Sequence, residues 1–279
     1  MTRFDAKPPL LRVRGLAKSY VQRRSLTRSK FRVRAFEEIS LDVPQGVTLA
    51  IVGESGAGKS SLARCLALLE TADSGTIEFE GKILSGLAQA ELFQLRRKIQ
   101  LIFQDSTSAL NPRFTAAQAV AEPLQIQRMF RVADRHDRAI ELMQQVGLPA
   151  ESAKKLPSEF SGGQRQRLAI ARALALEPKL LILDEALANL DAANQEMILR
   201  LLADLRARHM MTYIFISHDL HLVSQFADEV AVMRGGRIEE QKQCEDLFTR
   251  PENEYTRELI HAVPPLESIL EQRFEKEPI

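Results

Sequence analysis

Three short stretches of this chain carry residue types and spacings suited to phosphate chemistry. The first is Gly53-Glu54-Ser55-Gly56-Ala57-Gly58-Lys59-Ser60, a match to G-x-x-x-x-G-K-[ST]. Three glycines let the backbone curl so that successive N–H groups converge on an anion. In that pattern Lys59 reaches the β- and γ-phosphates of a nucleoside triphosphate, and the Ser60 hydroxyl holds Mg²⁺. The second stretch is Asp184-Glu185, at the end of an apolar run. Asp184 is placed to hold Mg²⁺ through a water, and Glu185 to polarise an attacking water. The third is Ser161-Gly162-Gly163-Gln164, which opens an amphipathic helical stretch. Its N–H groups and the positive end of the helix form a second site for an anion. The glycine loop alone fixes neither the nucleotide nor the work done with it.

The elements around these residues are the ones such chemistry needs. Residues 47–52 form a short, β-branched apolar run before the loop, and residues 61–70 a helical pattern after it. Strand, glycine loop, helix is the context that makes the pattern a phosphate site. Residues 180–183, 212–216 and 229–233 are further apolar runs. Continuous rather than alternating runs mark strands covered on both faces, in a largely parallel sheet between helices. Ligands of such sheets bind beyond the carboxyl ends of the strands, where both the loop and the acid pair fall. Residues 11–14 and 39–43 alternate as half-buried strands do, 75–80 reads as a strand closed by Gly81, 91–98 as a helix and 99–103 as a buried strand. From about 105 to 160 the character changes, with Pro112, Pro123 and Pro157 punctuating helical patterns such as 138–146. That stretch reads as a mostly helical insertion into an α/β core. Helices follow over 194–208 and about 218–226. Between the first two strands lie Arg23, Arg24, Arg28, Lys30, Arg32 and Arg34. They read as a solvated loop, or as a contact with anionic lipid headgroups.

The bulk composition narrows the function classes. Of 279 residues, 45% are hydrophobic and 27% charged, with a net charge of +1. This is the profile of a soluble globular protein and gives no reason to expect a nucleic-acid partner. No apolar run approaches the roughly 20 residues that span a bilayer. The first residues lack the apolar core of a signal peptide. Cys65 and Cys244 are far apart and form no ligand pattern, which fits a reducing compartment, and Cys65 reads as a buried thiol.

At Ser161-Gly162-Gly163-Gln164 the chain resembles the signature motif of ATP-binding cassette (ABC) proteins. Further marks of that family occur in its order. Tyr20 resembles the aromatic that stacks on adenine, and Gln104 the glutamine that joins the helical subdomain to the metal. Asp191, after Leu190, resembles the residue of the loop that couples two ATP sites. His218 resembles the switch histidine at the γ-phosphate. The resemblance covers about residues 10–263 and leaves 264–279 as a short tail. It implies an α/β fold: a P-loop NTPase (RecA-like) core with an antiparallel β subdomain and a helical signature subdomain inserted at about 105–170. It implies Glu185 and His218 as catalytic residues, and Ser60, Gln104 and Asp184 around Mg²⁺. ATP would be met by Tyr20, Gly53, Glu54, Ser55, Gly56, Ala57, Gly58, Lys59, Ser60, Ser61, Gln104, Ser161, Gly162, Gly163, Gln164 and Asp191. In the family two cassettes pair head to tail, each ATP lying between one chain's glycine loop and the other's signature segment.

Several segments are similar to one branch of the family, the importers of oligopeptides, dipeptides and nickel. They are residues 103–113 from Phe103-Gln104-Asp105 onward, Glu122-Pro123-Leu124, residues 159–163 and residues 253–264. This implies an ATP-binding and hydrolysing subunit of a membrane importer for peptides, nickel or a similar small solute. Its expected partners are a second cassette subunit, the same or homologous, two transmembrane permease subunits, and indirectly a substrate-binding protein, with no nucleic acid. Its expected place is the cytoplasmic face of the bacterial inner membrane, as a peripheral subunit. The alternative is a soluble cassette ATPase of a non-transport complex. Ser106 and Ala186 stand where the family usually has Pro, and Ala188-Asn189 replaces the usual Ser-Ala.

Overall fold

The computed structural model describes residues 8–23, 30–105 and 109–262. The chain divides into two compact units, one of residues 1–92 and 212–279, the other of residues 93–211. The first begins with strands β1 (Leu11–Arg23), β2 (Lys30–Val43) and β3 (Thr48–Val52) and helix α1 (Lys59–Leu66). It continues through β4 (Ser74–Phe79) and β5 (Lys82–Ile83) to α2 (Gln89–Lys98), along which the chain passes into the second unit. There β6 (Ile99–Ile102), α3 (Ala116–Ile126), α4 (Asp134–Gln145), α5 (Gly162–Leu174), β7 (Leu180–Asp184) and α6 (Ala192–His209) follow. The first unit is completed by β8 (Thr212–Ile216), α7 (Leu220–Phe226), β9 (Glu229–Arg234), β10 (Arg237–Gln243), α8 (Cys244–Thr249) and α9 (Glu254–His261).

In the first unit, β3 lies between β8 and β9 and runs parallel to both, with β10 antiparallel on β9. All five residues of β3 and of β8 are buried. Their unbroken apolar runs are therefore the mark of strands covered on both faces, as the sequence indicates. Phe226 of α7 closes one face, its ring 5.5 Å from that of Tyr213 and 5.6 Å, edge-on, from that of Phe215. A separate antiparallel sheet runs in the order β2-β1-β4-β5. In the second unit β6 and β7 pair in parallel, from Ile99 opposite Leu180 to Ile102 opposite Leu183. The α/β architecture is the expected one. Cys65 is buried, and burial pushes its thiol up to about 11. Among the described residues no helix is long and apolar enough to cross a membrane.

Three local expectations are corrected. The basic stretch is not a loop along its whole length: β1 and β2 form a long hairpin in which Arg23, Lys30, Arg32 and Arg34 are strand residues. Phe31-Arg32-Val33-Arg34 does alternate with period two, but all four residues are exposed and neither face is buried. Arg24 and Arg28 lie outside the described residues, as do Ser106 and the tail at 264–279. The helix expected over 61–70 begins at Lys59 and ends at Leu66, because Leu68 turns into a left-handed conformation, φ 60°. Pro123 sits inside α3 instead of ending it. A Thr115/Gln118 capping box starts that helix, and it buries Ala116, Ala117, Ala119, Val120 and Leu124.

Candidate nucleotide site

The glycine loop leaves β3 at Val52. Gly53, Gly56 and Gly58 all have positive φ, at 146°, 84° and 99°. At two of them space is as restrictive as conformation. A Cβ on Gly53 would lie 2.0 Å from the Met233 carbonyl oxygen, and one on Gly58 would lie 2.2 Å from that of Ala35. The loop is thus wedged against the backbones of β2 and β9. Lys59, 4% exposed, folds back over it, and its Nζ donates to the carbonyl oxygens of Gly53 (2.7 Å) and Glu54 (2.8 Å). Helix α1 then starts from Gly58 with no side-chain cap. Its first-turn N–H groups have no partner within the helix, which leaves that end suited to an anion.

The sequence did not point to Tyr255, yet it touches this loop. The Glu54 N–H donates to Tyr255 Oη at 3.3 Å, across 201 positions of chain. Tyr255 is buried, and burial holds its phenol above the usual value, so it stays protonated at neutral pH. The Arg234 guanidinium lies 4.4 Å from its ring centroid. No spacing rule reaches so far, and the one available signal was that residues 253–264 belong to a segment similar to the importer branch.

His218 is exposed in the turn between β8 and α7. Since Ile51 of β3 pairs with Ile216 of β8 in parallel, the His218 turn and the glycine loop leave the same end of neighbouring strands. Ser217 N–H donates to the Ile51 carbonyl at 3.3 Å. Asp219 caps α7 by accepting from the N–H groups of His221 (2.9 Å) and Leu222 (3.3 Å). Both flanks of His218 are therefore fixed. Tyr20 lies inside β1, half-buried, and its hydroxyl donates to Glu70 at 2.5 Å. Arg64 donates to the same carboxylate at 2.7 Å and to Ser61 Oγ at 3.2 Å, so a polar chain links Tyr20 to the helix that follows the loop. Burial works to raise the Glu70 carboxyl, but Tyr20 and Arg64 outweigh it and hold it below its ordinary value. Lys18 Nζ stands 5.5 Å from the Tyr20 ring centroid.

In the second unit, the pairing of Ile102 with Leu183 brings Gln104 and the pair Asp184-Glu185 to the same ends of β6 and β7. Gln104 is exposed and Asp184 buried. Glu185 takes a left-handed backbone, φ 48°, a conformation that side chains rarely adopt and that clusters at functional sites. The signature residues open α5. Ser161 Oγ accepts from the Gln164 N–H (3.2 Å), and Gln164 Oε1 accepts from the Ser161 N–H (2.9 Å). The N–H groups of Gly162 and Gly163 have no acceptor within the helix. A Cβ on Gly163 would lie 2.2 Å from Asn194 Oδ1. Asn194 in turn donates through its backbone N–H (2.9 Å) and Nδ2 (2.7 Å) to Asp191, which caps α6. These bonds hold the Asp191 carboxyl below its ordinary value. The signature helix and Asp191 are thus joined through one asparagine.

Residues 36–188, more than half of the chain, match the family model described as ABC transporter. The chain belongs to that family. Among similar ABC proteins, the oligopeptide transport ATP-binding protein OppD of Mycobacterium tuberculosis is 46% identical over 257 residues, covering 91% of this chain and 42% of that protein. The probable peptide ABC transporter ATP-binding protein y4tS of Sinorhizobium fredii is 46% identical over 256 residues, covering 91% and 72%. The glutathione import ATP-binding protein GsiA of Pectobacterium atrosepticum is 42% identical over 266 residues, covering 95% and 43%. The chain spans less than half the length of the first of these ABC relatives. Among solved structures, a dimeric ATP-binding cassette in a post-hydrolysis state with ADP and Pi has a TM-score of 0.75 at 27% identity, covering 84% of this chain and 98% of that one. The cbiO1 protein of Clostridium perfringens, part of an ABC transporter complex, has a TM-score of 0.76 at 27% identity, covering 96% and 100%.

Proposed function

We propose that this ABC cassette binds MgATP and hydrolyses it to drive import of a peptide, nickel or a similar small solute through a membrane complex. The observation that carries the reading is the loop at 53–60. Three glycines have positive φ, two of them wedged against backbone carbonyls, a buried Lys59 lies over the loop, and an α-helix follows with no side-chain cap. Lys59 turns from the Gly53 and Glu54 carbonyls to the β- and γ-phosphates, a stronger charge-assisted partner. Tyr20 stacks on the base. Glu185 orients and polarises the attacking water, and His218 contacts the γ-phosphate, since phosphoryl transfer needs mostly positioning and charge neutralisation. Ser60, Asp184 and Gln104 would hold Mg²⁺, which when bound neutralises charge on the β- and γ-phosphates. The donor set fits that ion. A hydroxyl, an amide oxygen and one carboxylate are all hard oxygen donors, and Mg²⁺ in nucleotide sites takes one or two carboxylates with waters and phosphates.

The names of the relatives support transport as the work. On this reading Ser161, Gly162, Gly163, Gln164 and Asp191 serve the ATP of a second cassette, the same or homologous, and the pair docks on two permease subunits at the cytoplasmic face of the membrane. A substrate-binding protein selects the solute. Purification of the native complex in detergent tests this. Two membrane-spanning subunits and nucleotide-dependent ATPase activity in the same particle are expected. A purely soluble assembly would overturn the transport reading.

A further inference from the structure

The loop at 53–60 is gripped at three places within the first unit. Two grips are steric, the Met233 carbonyl at Gly53 and the Ala35 carbonyl at Gly58. The third is polar and comes from the far end of the chain, the Tyr255 hydroxyl on the Glu54 N–H. Glu54 is thus held on both sides, its N–H by Tyr255 and its carbonyl by Lys59 Nζ. If Lys59 moves to a phosphate, the Glu54 carbonyl keeps only the Ala57 N–H, at 3.2 Å, and Tyr255 still holds the Glu54 N–H from outside the loop.

Tyr255 is itself well seated. It lies on the first turn of α9, whose cap Asn253 accepts from the Tyr255 N–H at 2.8 Å. Glu240 of β10 accepts from the N–H groups of Glu252 (2.9 Å) and Asn253 (3.0 Å), which fixes the entry to the helix. Arg234, over the Tyr255 ring, directly follows Met233, which abuts the loop. The end of β9, the start of α9 and the glycine loop therefore form one connected body.

We propose that Tyr255 is a positioning residue for the glycine loop, so that helix α9 sets the affinity of the site for ATP. This rests on the reading that the loop binds ATP, and the test separates the two. The full chain is compared with Tyr255→Phe, which keeps the ring over which Arg234 lies and removes only the hydroxyl, and with Asn253→Ala, which loosens the α9 cap. In nucleotide-free protein, hydrogen exchange over residues 53–60 should accelerate in both variants. The Kd for a fluorescent ATP analogue with Mg²⁺ should rise about 2- to 10-fold in Tyr255→Phe, the worth of one neutral hydrogen bond. In ATPase assays the loss should fall on KM rather than kcat. Asn253→Ala should add little in the Tyr255→Phe background, because both act through the same contact. Unchanged loop exchange and unchanged Kd in Tyr255→Phe, with wild type binding the analogue in a Lys59-dependent way, would overturn the role of Tyr255. So would fully additive effects of the two variants. A wild-type chain that fails to bind the analogue would overturn the ATP reading itself, and with it this inference.

Discussion

Glu185 follows a buried aspartate and holds a left-handed backbone with no glycine to ease it. That conformation costs on the order of 1–3 kcal/mol and persists where the surroundings require it. On the proposed reading Glu185 is the general base that polarises water. Glu185→Gln should keep nucleotide binding and slow ATP turnover by about 10²–10⁴-fold, the usual worth of a general base. Steady-state ATPase assays beside equilibrium binding check this, and near-normal turnover would refute the role. Lys59→Ala should act on the other term and weaken nucleotide binding itself, so unchanged affinity counts against its placement at the phosphates. Gly53→Ala probes the loop without touching charge. Its Cβ would meet the Met233 carbonyl at 2.0 Å, a backbone atom that cannot rotate away. The loop must shift, so ATP binding should fall sharply and the unfolding free energy should drop by about 1–3 kcal/mol. A variant that binds and melts like wild type would show that the wedge is dispensable.

At the scale of elements, the entry to helix α9 is held by one carboxylate. Burial pushes Glu240 up, but the N–H groups of Glu252 and Asn253 and the Lys242 ammonium at 3.1 Å outweigh it, and the carboxyl falls to about 2. A folded value below the ordinary 4.5 makes this stabilisation complete above that pH. It is lost as pH falls from about 4.5 toward 2. Glu240→Gln should therefore lower stability at pH 7 by about 1–3 kcal/mol. The gap from wild type should narrow in acid, as paired denaturation curves at pH 7 and pH 3 would read. A gap that does not depend on pH would mean the charge is not what anchors the helix. Elements like this one also show where the sequence was opaque. The runs at 180–183 and 212–216 were legible to within a residue, because strands buried on both faces must be continuously apolar. The hairpin was missed because this end of it buries neither face: Phe31, Arg32, Val33 and Arg34 are all exposed, so backbone pairing rather than an apolar face holds it. Ser161 was legible as a helix start because a serine and two glycines precede an amphipathic run; the reciprocal bonds with Gln164 came from the structure. Tyr255 was not, because its partner is 201 positions away and is a backbone N–H, which no residue type announces.

For the whole molecule, the sequence places two anion-receptive helix starts in one chain, and a single ATP cannot explain why the second resembles a signature served to a neighbour. The α1 end lacks a side-chain cap, whereas the α5 end is a capping box with Ser161 and Gly162 exposed. If the α5 end serves the ATP of a second cassette, nucleotide should assemble the chain into pairs. Glu185→Gln, expected to hold ATP unhydrolysed, should double in apparent mass on size exclusion with light scattering when MgATP is added, and not with ADP. The doubling should grow with protein concentration, as mass action requires. Gly162→Asp in that background separates this from simple nucleotide stabilisation. A Cβ at Gly162 meets only Leu190 Cδ2 at 3.6 Å, and an acid in the first turn suits the helix dipole, so the variant should fold and bind ATP as a monomer. Its carboxylate would face the partner's phosphates and should abolish the doubling. If the natural partner is a different cassette, both effects should appear on mixing with that subunit. An ATP-bound Glu185→Gln chain that stays monomeric alone and in that mixture would sink the paired-cassette reading. A Gly162→Asp chain that still pairs would remove the signature segment from the interface.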